Sequence, residues 1–253
     1  MVESDEMNII QVAKECTTLT ELLDRITLPQ SDLDTIRNRT VGQSSNKFWH
    51  TVRRGRITAS NFYRVHTKVE SLKKDPTVQC SSLIESLINP PSLGHLPQIS
   101  KGITTENAAV SAFIKALAAS GHNNVTVQPC GFYIAKDKQF LGASPDGLVQ
   151  CDCCPVSLLE IKCPSKELSK LPYLTHDKKL KTKSPYYGQV QGQMAVTGIH
   201  SSHFFVFYAA GIHNLECIKY NTDFSNSMLA NLEFFYMHHL APKLMSRKKH
   251  KAQ

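Results

Sequence analysis

Three residues near the middle of the chain have the types and spacing needed for metal-assisted hydrolysis of a phosphodiester bond. Asp146 lies in the run SPDG at 144–147, and Glu160 and Lys162 lie in the run LEIKCP at 159–164, which begins thirteen residues after Asp146. Mg²⁺ prefers oxygen ligands, usually one or two carboxylates together with water and substrate phosphate. The ion polarises the phosphoryl oxygen and lowers the pKa of a bound water. The residues therefore indicate nuclease chemistry as a hypothesis.

Each half of this pattern also has an ordinary structural explanation. Pro-Asp-Gly is typical of a turn, and residues two apart on a strand share one face, so Glu160 and Lys162 could line a solvent-exposed side. The two halves together are more informative, because strand-like apolar runs flank them at 140–143 and 157–159. A hairpin of those strands would bring Asp146 near Glu160. Lys162, about 6.6 Å further along its strand, would lie beside the attacking water.

The composition favours a single globular core and a polyanionic partner. The chain has 253 residues, 41% of them hydrophobic, and carries a net charge of +8 with a pI near 9.0. A basic balance favours nucleic acid, although many basic proteins bind none. The acidic start at 1–6 does not resemble a secretory signal, and the longest apolar run, 204–210, is too short to span a bilayer. We expect a soluble intracellular protein with no membrane contact, and the sequence leaves nucleus and cytoplasm open.

The pattern of apolar residues predicts an α+β or α/β domain with a mixed central sheet. We expect a helical N-terminal appendage at 1–44, the main domain at 45–245 and a basic tail at 246–253. Predicted helices are a short one from Thr58 or Ser60 to Val65, one opened by Glu106 and stopped near Gly121, one at 186–197 and a closing helix at 228–244. Predicted strands are 125–135, 139–144, 157–162, 202–209 and 215–220, and a loop is expected at 90–97.

Four sequence blocks, in this order, resemble the phage lambda exonuclease-like and YqaJ viral recombinase branch of the PD-(D/E)XK nucleases. They are FWH with Arg53 and GRITAS at 48–60, Gly102 with ENA at 106–108, the SPDG and LEIKCP runs, and Tyr186 with QVQ at 189–191, Met194 and Thr197. The resemblance covers about residues 46–240. It implies a restriction-endonuclease-like core with helices flanking a mixed β-sheet.

The resemblance also implies a role for each matched position. Asp146, Glu160 and the carbonyl oxygen of Ile161 would hold Mg²⁺ or Mn²⁺, with Glu106 completing the acidic cluster. Lys162 would assist the attacking water, and Gln189 would lie beside it. The implied reaction is 5′ to 3′ digestion of double-stranded DNA in recombination or repair. A strand-annealing partner protein and a homo-oligomeric ring trimer are further implications.

Basic residues supply the candidate DNA contacts. The resemblance implies that Arg53 and Ser60 bind a terminal 5′-phosphate, and a basic pair that leads into a Ser/Thr-capped helix makes Arg56 a further candidate. Lys179 and Lys181 lie in a lysine-rich loop just before the predicted helix of Gln189, where they could follow the phosphate backbone. Such runs are also often solvated and without a ligand. The basic tail at 247–251 could serve as a nuclear address.

Cysteines between the two catalytic runs raise a separate possibility. Cys151, Cys153 and Cys154 are close in sequence, and thiolates are ligands that zinc prefers, with Cys163 as the candidate fourth ligand. Against a zinc site, Cys153 and Cys154 are adjacent and would point apart on a strand. We expect reduced structural cysteines and keep zinc as an alternative.

Three classes of function therefore stay open at the level of sequence. The leading hypothesis is a Mg²⁺- or Mn²⁺-dependent exonuclease acting on duplex ends. The same metal centre could belong to an endonuclease of a mobile element. Two alternative hypotheses involve no hydrolysis: a catalytically silent DNA-binding module and a cysteine-rich zinc scaffold.

Overall fold

The computed structural model describes residues 7–90, 98–209 and 211–246. Within these ranges the helices are α1 (Ile9–Glu15), α2 (Leu19–Ile26), α3 (Gln30–Arg39), α4 (Lys47–Arg53), α5 (Ala59–Lys74), α6 (Ser81–Ile88), α7 (Gln98–Ala119), α8 (Pro185–Thr197), α9 (Thr222–Phe235) and α10 (Ala241–Ser246). The strands are β1 (Ile57–Thr58), β2 (Thr126–Gln128), β3 (Tyr133–Ile134), β4 (Leu141–Ala143), β5 (Gly147–Cys151), β6 (Cys154–Lys162), β7 (Ser201–Ala209) and β8 (Ile212–Lys219). None of the described helices is long and apolar enough to cross a membrane.

The strands form two mixed sheets, which confirms the predicted α+β class. The larger sheet has the order β2-β5-β6-β7-β8, with β6 and β7 parallel and the other neighbours antiparallel. The smaller sheet has the order β1-β4-β3, in which β1 and β4 are parallel. Mixed sheets of this kind need helices on their faces to cover the apolar side chains.

Helices α7 and α8 cover opposite faces of the larger sheet. Side chains alternate along a strand, so Leu158 of β6 packs with Val190 and Met194 of α8. The neighbouring residue Leu159 packs on the other face with α7, in the cluster that contains Phe113. The alternation places Glu160 on the same face as Leu158, under α8. The polar residue thus lies inside a largely apolar layer.

The N-terminal helices contribute to the main hydrophobic core. Buried residues of α1 and α2, including Ile9 and Leu22, belong to the same cluster as Phe62 of α5 and Leu232 of α9. Helix α2 is fixed at its start by Thr18, whose side chain accepts a hydrogen bond from the N–H of Glu21. The division into an appendage at 1–44, a main domain at 45–245 and a tail from 246 stays a prediction. Residues 247–253 of that tail lie outside the described residues.

Several strand predictions were wrong in detail. The single strand expected at 125–135 is two strands, β2 and β3, which lie in different sheets. Pro129 and Gly131 separate them, and Gly131 lies so close to α3 that a Cβ there would be 1.8 Å from the carbonyl oxygen of Arg37. Strand β5 was not predicted, because the turn signature before it and the cysteines after it obscured a run with only two large apolar residues.

Helix boundaries also differ from the predictions. The helix predicted to end at Val65 extends to Lys74, and the Thr58 side chain makes no capping hydrogen bond. Helix α7 begins at Gln98, so Glu106 lies well inside it and not in its first turn. The closing helix is interrupted by a π-helical turn at Tyr236–Leu240, where the Tyr236 ring stacks on Phe140 with centroids 4.3 Å apart. The loop predicted at 90–97 lies, except for Pro90, outside the described residues.

Candidate active site

The β5–β6 hairpin places Asp146 close to Glu160. Asp146 immediately precedes β5, its N–H donates to the carbonyl oxygen of Leu159 at 2.9 Å, and Gly147 pairs with Leu159. A Cβ on Gly147 would lie 2.5 Å from Cγ1 of Val127, so this close packing requires glycine. The predicted proximity is therefore confirmed, but the predicted hairpin was wrong. Strand β4 belongs to the other sheet, and β5 is the partner of β6.

Glu160 is 1% exposed and accepts hydrogen bonds at both carboxylate oxygens. Its Oε1 accepts from Nε2 of Gln189 at 2.6 Å and from Nζ of Lys162. Its Oε2 accepts from Nε2 of Gln193 at 2.6 Å. Three donors, one of them charged, compensate for removing this carboxylate from water. The cluster fixes the Glu160 side chain between β6 and α8.

Helix α8 supplies both glutamines from one face. Ser184 caps the helix through a hydrogen bond from the N–H of Tyr186, and Gly198 ends it with φ 72°. Residues four apart lie on one face of a helix, so Gln189 and Gln193 both reach Glu160, whereas Gln191 is buried elsewhere and binds the carbonyl oxygen of Lys219 at 2.9 Å. Gln193 was missed in the sequence analysis, although its spacing from Gln189 could have indicated it.

Lys162 lies at the open edge of the cluster. Its Nζ contacts Glu160 and lies 4.8 Å from the centroid of the Tyr186 ring, a cation–π contact. Burial, the largest influence on its pKa, acts to lower it, but the charges of Glu160 and Asp146 outweigh burial and raise the pKa above its ordinary value. Lys162 is therefore a cation in the folded protein.

Asp146 is partly buried, and its Oδ2 accepts a hydrogen bond from the N–H of Ile161 at 2.6 Å. Burial and then the charge of Glu160 raise its pKa well above the ordinary value, while Lys162 and the Ile161 N–H act in the opposite direction. The raised pKa of Asp146 reflects burial first, and then negative charge that one lysine does not fully balance. Glu106 adds to it, because its charge also raises the pKa of Asp146 from an exposed position on α7.

The donor set fits a hard divalent cation. It combines carboxylates, whose excess negative charge a cation would offset, with backbone and amide oxygens. Oε1 of Gln193 is buried without a hydrogen-bond partner among the described residues, so it could accept from a metal-bound water. Coordination by Asp146, Glu160, the carbonyl oxygen of Ile161 and Glu106 stays a prediction.

Arg53 is held beside the turn that carries Asp146. Helix α4 starts at the side chain of Asn46, and Trp49 and Arg53 lie on one face of it, four residues apart. The guanidinium carbon of Arg53 lies 3.8 Å from the centroid of the Trp49 ring, and Nε1 of Trp49 donates to Oγ of Ser144 at 2.8 Å. Burial lowers the pKa of Arg53 to about 10, which leaves it charged at neutral pH. Ser60 is exposed in the first turn of α5.

The prediction that Arg56 binds DNA was wrong. Arg56 is 3% exposed, and its guanidinium donates to the carbonyl oxygens of Gln139 at 2.9 Å, of Met7 at 3.0 Å and of Val52. Burial lowers its pKa to about 10. Its hydrogen bonds join the N-terminal segment, α4 and the segment before β4, and no nucleic acid could reach it without unfolding. The sequence did not indicate this burial, because a pair of basic residues is also typical of a solvent-exposed surface.

Lys179 and Lys181 are exposed in the loop before α8. Nζ of Lys181 donates to the carbonyl oxygen of Pro172 at 2.7 Å, and the N–H of Lys179 donates to Oγ1 of Thr175 at 3.0 Å. The loop is attached to β8, since the N–H of Leu180 donates to Oε2 of Glu216 at 2.7 Å. A phosphate-binding role for the two lysines stays a prediction.

The predicted set of four zinc ligands was wrong at one position, Cys163. The side chains of Cys151, Cys153 and Cys154 do lie together, but they meet His122 and not Cys163. Cys163 is exposed and lies next to Lys162, at the other end of β6, and burial followed by the charges of Glu106 and Asp146 raises the pKa of its thiol. His122 was missed because it lies about thirty residues away in the sequence.

A mixed sheet with Asp146 at a hairpin turn, Glu160 and Lys162 on the next strand and helices on both faces defines a PD-(D/E)XK nuclease-like fold. The chain belongs to the YqaJ-like viral recombinase domain family, because the model of that family matches residues 48–200, more than half of the chain. This confirms the resemblance noted in the sequence. No curated protein matches the chain significantly.

Solved structures of several exonucleases share the fold. The exonuclease LHK-Exo from Laribacter hongkongensis is 22% identical, with a TM-score of 0.55 over 78% of this chain and 94% of that one. A structure of the Kaposi's sarcoma-associated herpesvirus protein SOX with RNA is 11% identical, with a TM-score of 0.59 over 94% and 82%. A phage-related exonuclease from Haemophilus somnus is 12% identical, with a TM-score of 0.51 over 76% and 95%. At these identities the similarity shows the fold.

Proposed function

We propose that the chain is a metal-dependent deoxyribonuclease that digests double-stranded DNA from 5′ ends in recombination or repair. The observation that carries the proposal is the cluster of Asp146, Glu160 and Lys162 under the two glutamines of α8. The family and the fold support it, since exonucleases are among the proteins with this architecture. The net charge of +8 also suits a polyanionic substrate.

The residues divide the chemistry between them. Asp146 and Glu160 would hold Mg²⁺ or Mn²⁺, assisted by the Ile161 carbonyl oxygen and Glu106. When bound, the ion activates a water and offsets charge on the scissile phosphate. Lys162, charged and fixed against Glu160, orients the nucleophilic water and stabilises negative charge that develops on the phosphate. Gln189 and Gln193 hold the Glu160 carboxylate in place, and Gln189, half-buried, is the one that can also contact the water.

Arg53 and Ser60 would bind the terminal 5′-phosphate. The guanidinium, packed on Trp49, is pre-oriented and loses little side-chain entropy when it binds an anion. The Ser60 hydroxyl and the first N–H groups of α5 add neutral donors at a helix start. Lys179 and Lys181 would follow the backbone of the duplex. A strand-annealing partner protein and assembly into a ring trimer are proposals that rest on the family resemblance alone.

The test compares 5′-phosphorylated linear duplex with covalently closed circular DNA, each with and without Mg²⁺. We expect Mg²⁺-dependent loss of the linear form only. Mononucleotides that carry a label placed at the 5′ end should appear before those that carry a label placed at the 3′ end. Cutting of the circle would favour the endonuclease alternative. Binding without cleavage in Mg²⁺ or Mn²⁺ would favour the silent DNA-binding module. Cleavage that persists in a protein with both Asp146→Ala and Glu160→Ala would contradict the assigned site.

The phosphate site has a matched control in the next residue. Arg54 is exposed and directly follows Arg53, so replacing it removes an equal charge from the neighbouring residue. Arg53→Gln should lower the rate on 5′-phosphorylated ends by about 10²-fold, a loss typical of a charged hydrogen bond to phosphate, and should leave the slow rate on 5′-hydroxyl ends nearly unchanged. Arg54→Gln should leave both rates within about threefold. Equal losses on both kinds of end would refute the assignment.

A further inference from the structure

Four metal-ligating side chains converge at the end of the β5–β6 hairpin far from the catalytic turn. Nδ1 of His122 lies 3.6 Å from Sγ of Cys151, 3.2 Å from Sγ of Cys153 and 3.6 Å from Sγ of Cys154. The sulfur of Cys153 lies 3.6 Å from that of Cys151 and 3.8 Å from that of Cys154. All four ligand atoms lie within 4.8 Å of one another.

Four of these five separations match the edges of a zinc tetrahedron, and the sixth pair of ligand atoms, the sulfurs of Cys151 and Cys154, lies within 4.8 Å. Zinc binds thiolate sulfur at about 2.3 Å and imidazole nitrogen at about 2.0–2.1 Å in tetrahedral geometry. Those bond lengths require sulfur–sulfur edges of about 3.8 Å and sulfur–nitrogen edges of about 3.6 Å. The observed sulfur–sulfur contacts and two of the three sulfur–nitrogen contacts agree to within 0.2 Å. Hydrogen bonds alone would not require four ligand atoms to lie at these mutual distances.

The backbone explains how adjacent cysteines can face one point. Asp152 and Cys153 form the turn between the strands, and the pairing of β5 with β6 shifts register between Val149 and Cys151. Cys153 therefore does not alternate with Cys154 as it would on a regular strand. This removes the objection to zinc drawn from the sequence.

The segment after α7 is built to bring His122 to the same point. Gly121 has φ +93° and Asn124 has φ 53°, so the chain turns sharply on both sides of the histidine. The N–H of Asp152 donates to the carbonyl oxygen of Asn123 at 3.1 Å, and Nδ2 of Asn124 donates to Oδ2 of Asp152 at 2.7 Å. The two segments are thus attached to each other by groups that are not ligands, which orders the site before an ion binds.

We propose that His122, Cys151, Cys153 and Cys154 bind one Zn²⁺ as a structural site. Four protein ligands leave no open coordination position, so the ion has no direct role in hydrolysis. It joins the C-terminal end of α7 to the β5–β6 hairpin. That helix carries Glu106, and the hairpin carries Asp146 and Glu160, so the zinc ion holds in register the two elements that support the catalytic carboxylates. The proposal stands whether or not the chain is a nuclease.

Metal content provides the test. The full chain is purified under reducing conditions, incubated with Zn²⁺ and desalted. Elemental mass spectrometry should then find about one zinc ion per chain. His122→Ala and Cys153→Ser should each lose most of it, while Cys163→Ser, an exposed cysteine outside the cluster, should keep it. Zinc below about 0.2 per chain in the wild type, or a loss on Cys163→Ser equal to that on Cys153→Ser, would overturn the proposal.

A second measurement on the wild-type chain does not depend on whether the variants fold. Co²⁺ replacing Zn²⁺ should give the intense visible absorption of tetrahedral cobalt and a thiolate charge-transfer band, both removed by added Zn²⁺. Thermal unfolding should also shift to lower temperature when the zinc is chelated, by several degrees that Mg²⁺ does not restore. A weak octahedral cobalt spectrum, or an intact mass showing a disulfide within the cluster after reduction and Zn²⁺ addition, would overturn the proposal.

Discussion

Replacing Asp146 by Asn should make the metal-free protein more stable while it removes activity. Burial and the charge of the neighbouring Glu160 both disfavour the ionised form of Asp146. For two like charges about 5 Å apart at an effective dielectric constant of about 20, the repulsion alone is about 3 kcal/mol. The attraction between Lys162 and Asp146 offsets part of this repulsion. The free energy of unfolding of Asp146→Asn should therefore exceed that of the wild type by about 1–2 kcal/mol. Asn keeps an oxygen to accept the Ile161 N–H.

The gain in stability of Asp146→Asn over the wild type should increase with pH. The pKa of Asp146 is raised in the folded protein, so the folded state binds the proton more tightly than the unfolded chain does. Wild-type stability is therefore lost progressively as pH rises above the unfolded pKa of about 3.9. The advantage of Asp146→Asn should be absent below that pH, grow as pH rises, and reach its full value once pH exceeds the folded-state pKa.

The assay is thermal and urea unfolding of both proteins in EDTA at about pH 4.5 and pH 8. For a chain of this length, 1–2 kcal/mol corresponds to an increase in Tm of about 2–8 °C at the higher pH. Asp137→Asn, an exposed aspartate in the turn before β4, is the control and should change stability by less than about 0.5 kcal/mol. Saturating Mg²⁺ should stabilise the wild type and not Asp146→Asn. An Asn variant less stable at pH 8, or a gain that does not vary with pH, would show that a charged Asp146 does not destabilise the metal-free protein.

Three further substitutions separate structural from catalytic roles. Arg56→Met should destabilise the protein by about 3–5 kcal/mol in urea unfolding, because it leaves three buried carbonyl oxygens without their donor; Arg54→Met should change stability by less than about 0.5 kcal/mol. Gly192→Ala should lower both Tm and kcat, since its Cβ would lie 2.3 Å from Cδ2 of Phe62 and push α8 away from α5; an unchanged kcat would show that α8 tolerates the shift. Gln193→Leu should reduce kcat about tenfold or more with little change in KM, because Glu160 loses a buried donor; a rise in KM alone would indicate a role in binding DNA.

The parts of the structure that sequence could predict are those specified by local pattern. The α+β class followed from periodic apolar runs, and helix α8, predicted at 186–197, begins one residue earlier and ends where predicted. The proximity of Asp146 and Glu160 was correct because the turn lies next to the strand pair, even though the strand that pairs with β6 was wrongly assigned. The resemblance implied that Gln189 lies beside the attacking water; its side chain donates to Glu160, and the contact with water stays a prediction.

The parts that sequence missed depend on contacts between distant segments. Arg56 looked like a surface cation, and only the fold brings the carbonyl oxygens of Met7 and Gln139 to it. His122 could not be connected with the cysteines, because its position depends on the turn after α7. Glu106 was predicted at a helix start because the eight residues before it in α7 have little apolar periodicity, so nothing in the local sequence marked the earlier turns.

The most direct test of the proposed reaction centre is the rate at which Lys162→Met releases nucleotides from 5′-phosphorylated linear duplex in Mg²⁺. Methionine keeps an unbranched side chain against Tyr186 but removes the charge beside Glu160. We expect a fall in kcat of about 10²–10³-fold, with duplex binding weakened by less than about threefold. A variant that retains kcat within about threefold of the wild type would contradict the assignment of Asp146, Glu160 and Lys162 as the centre of the reaction.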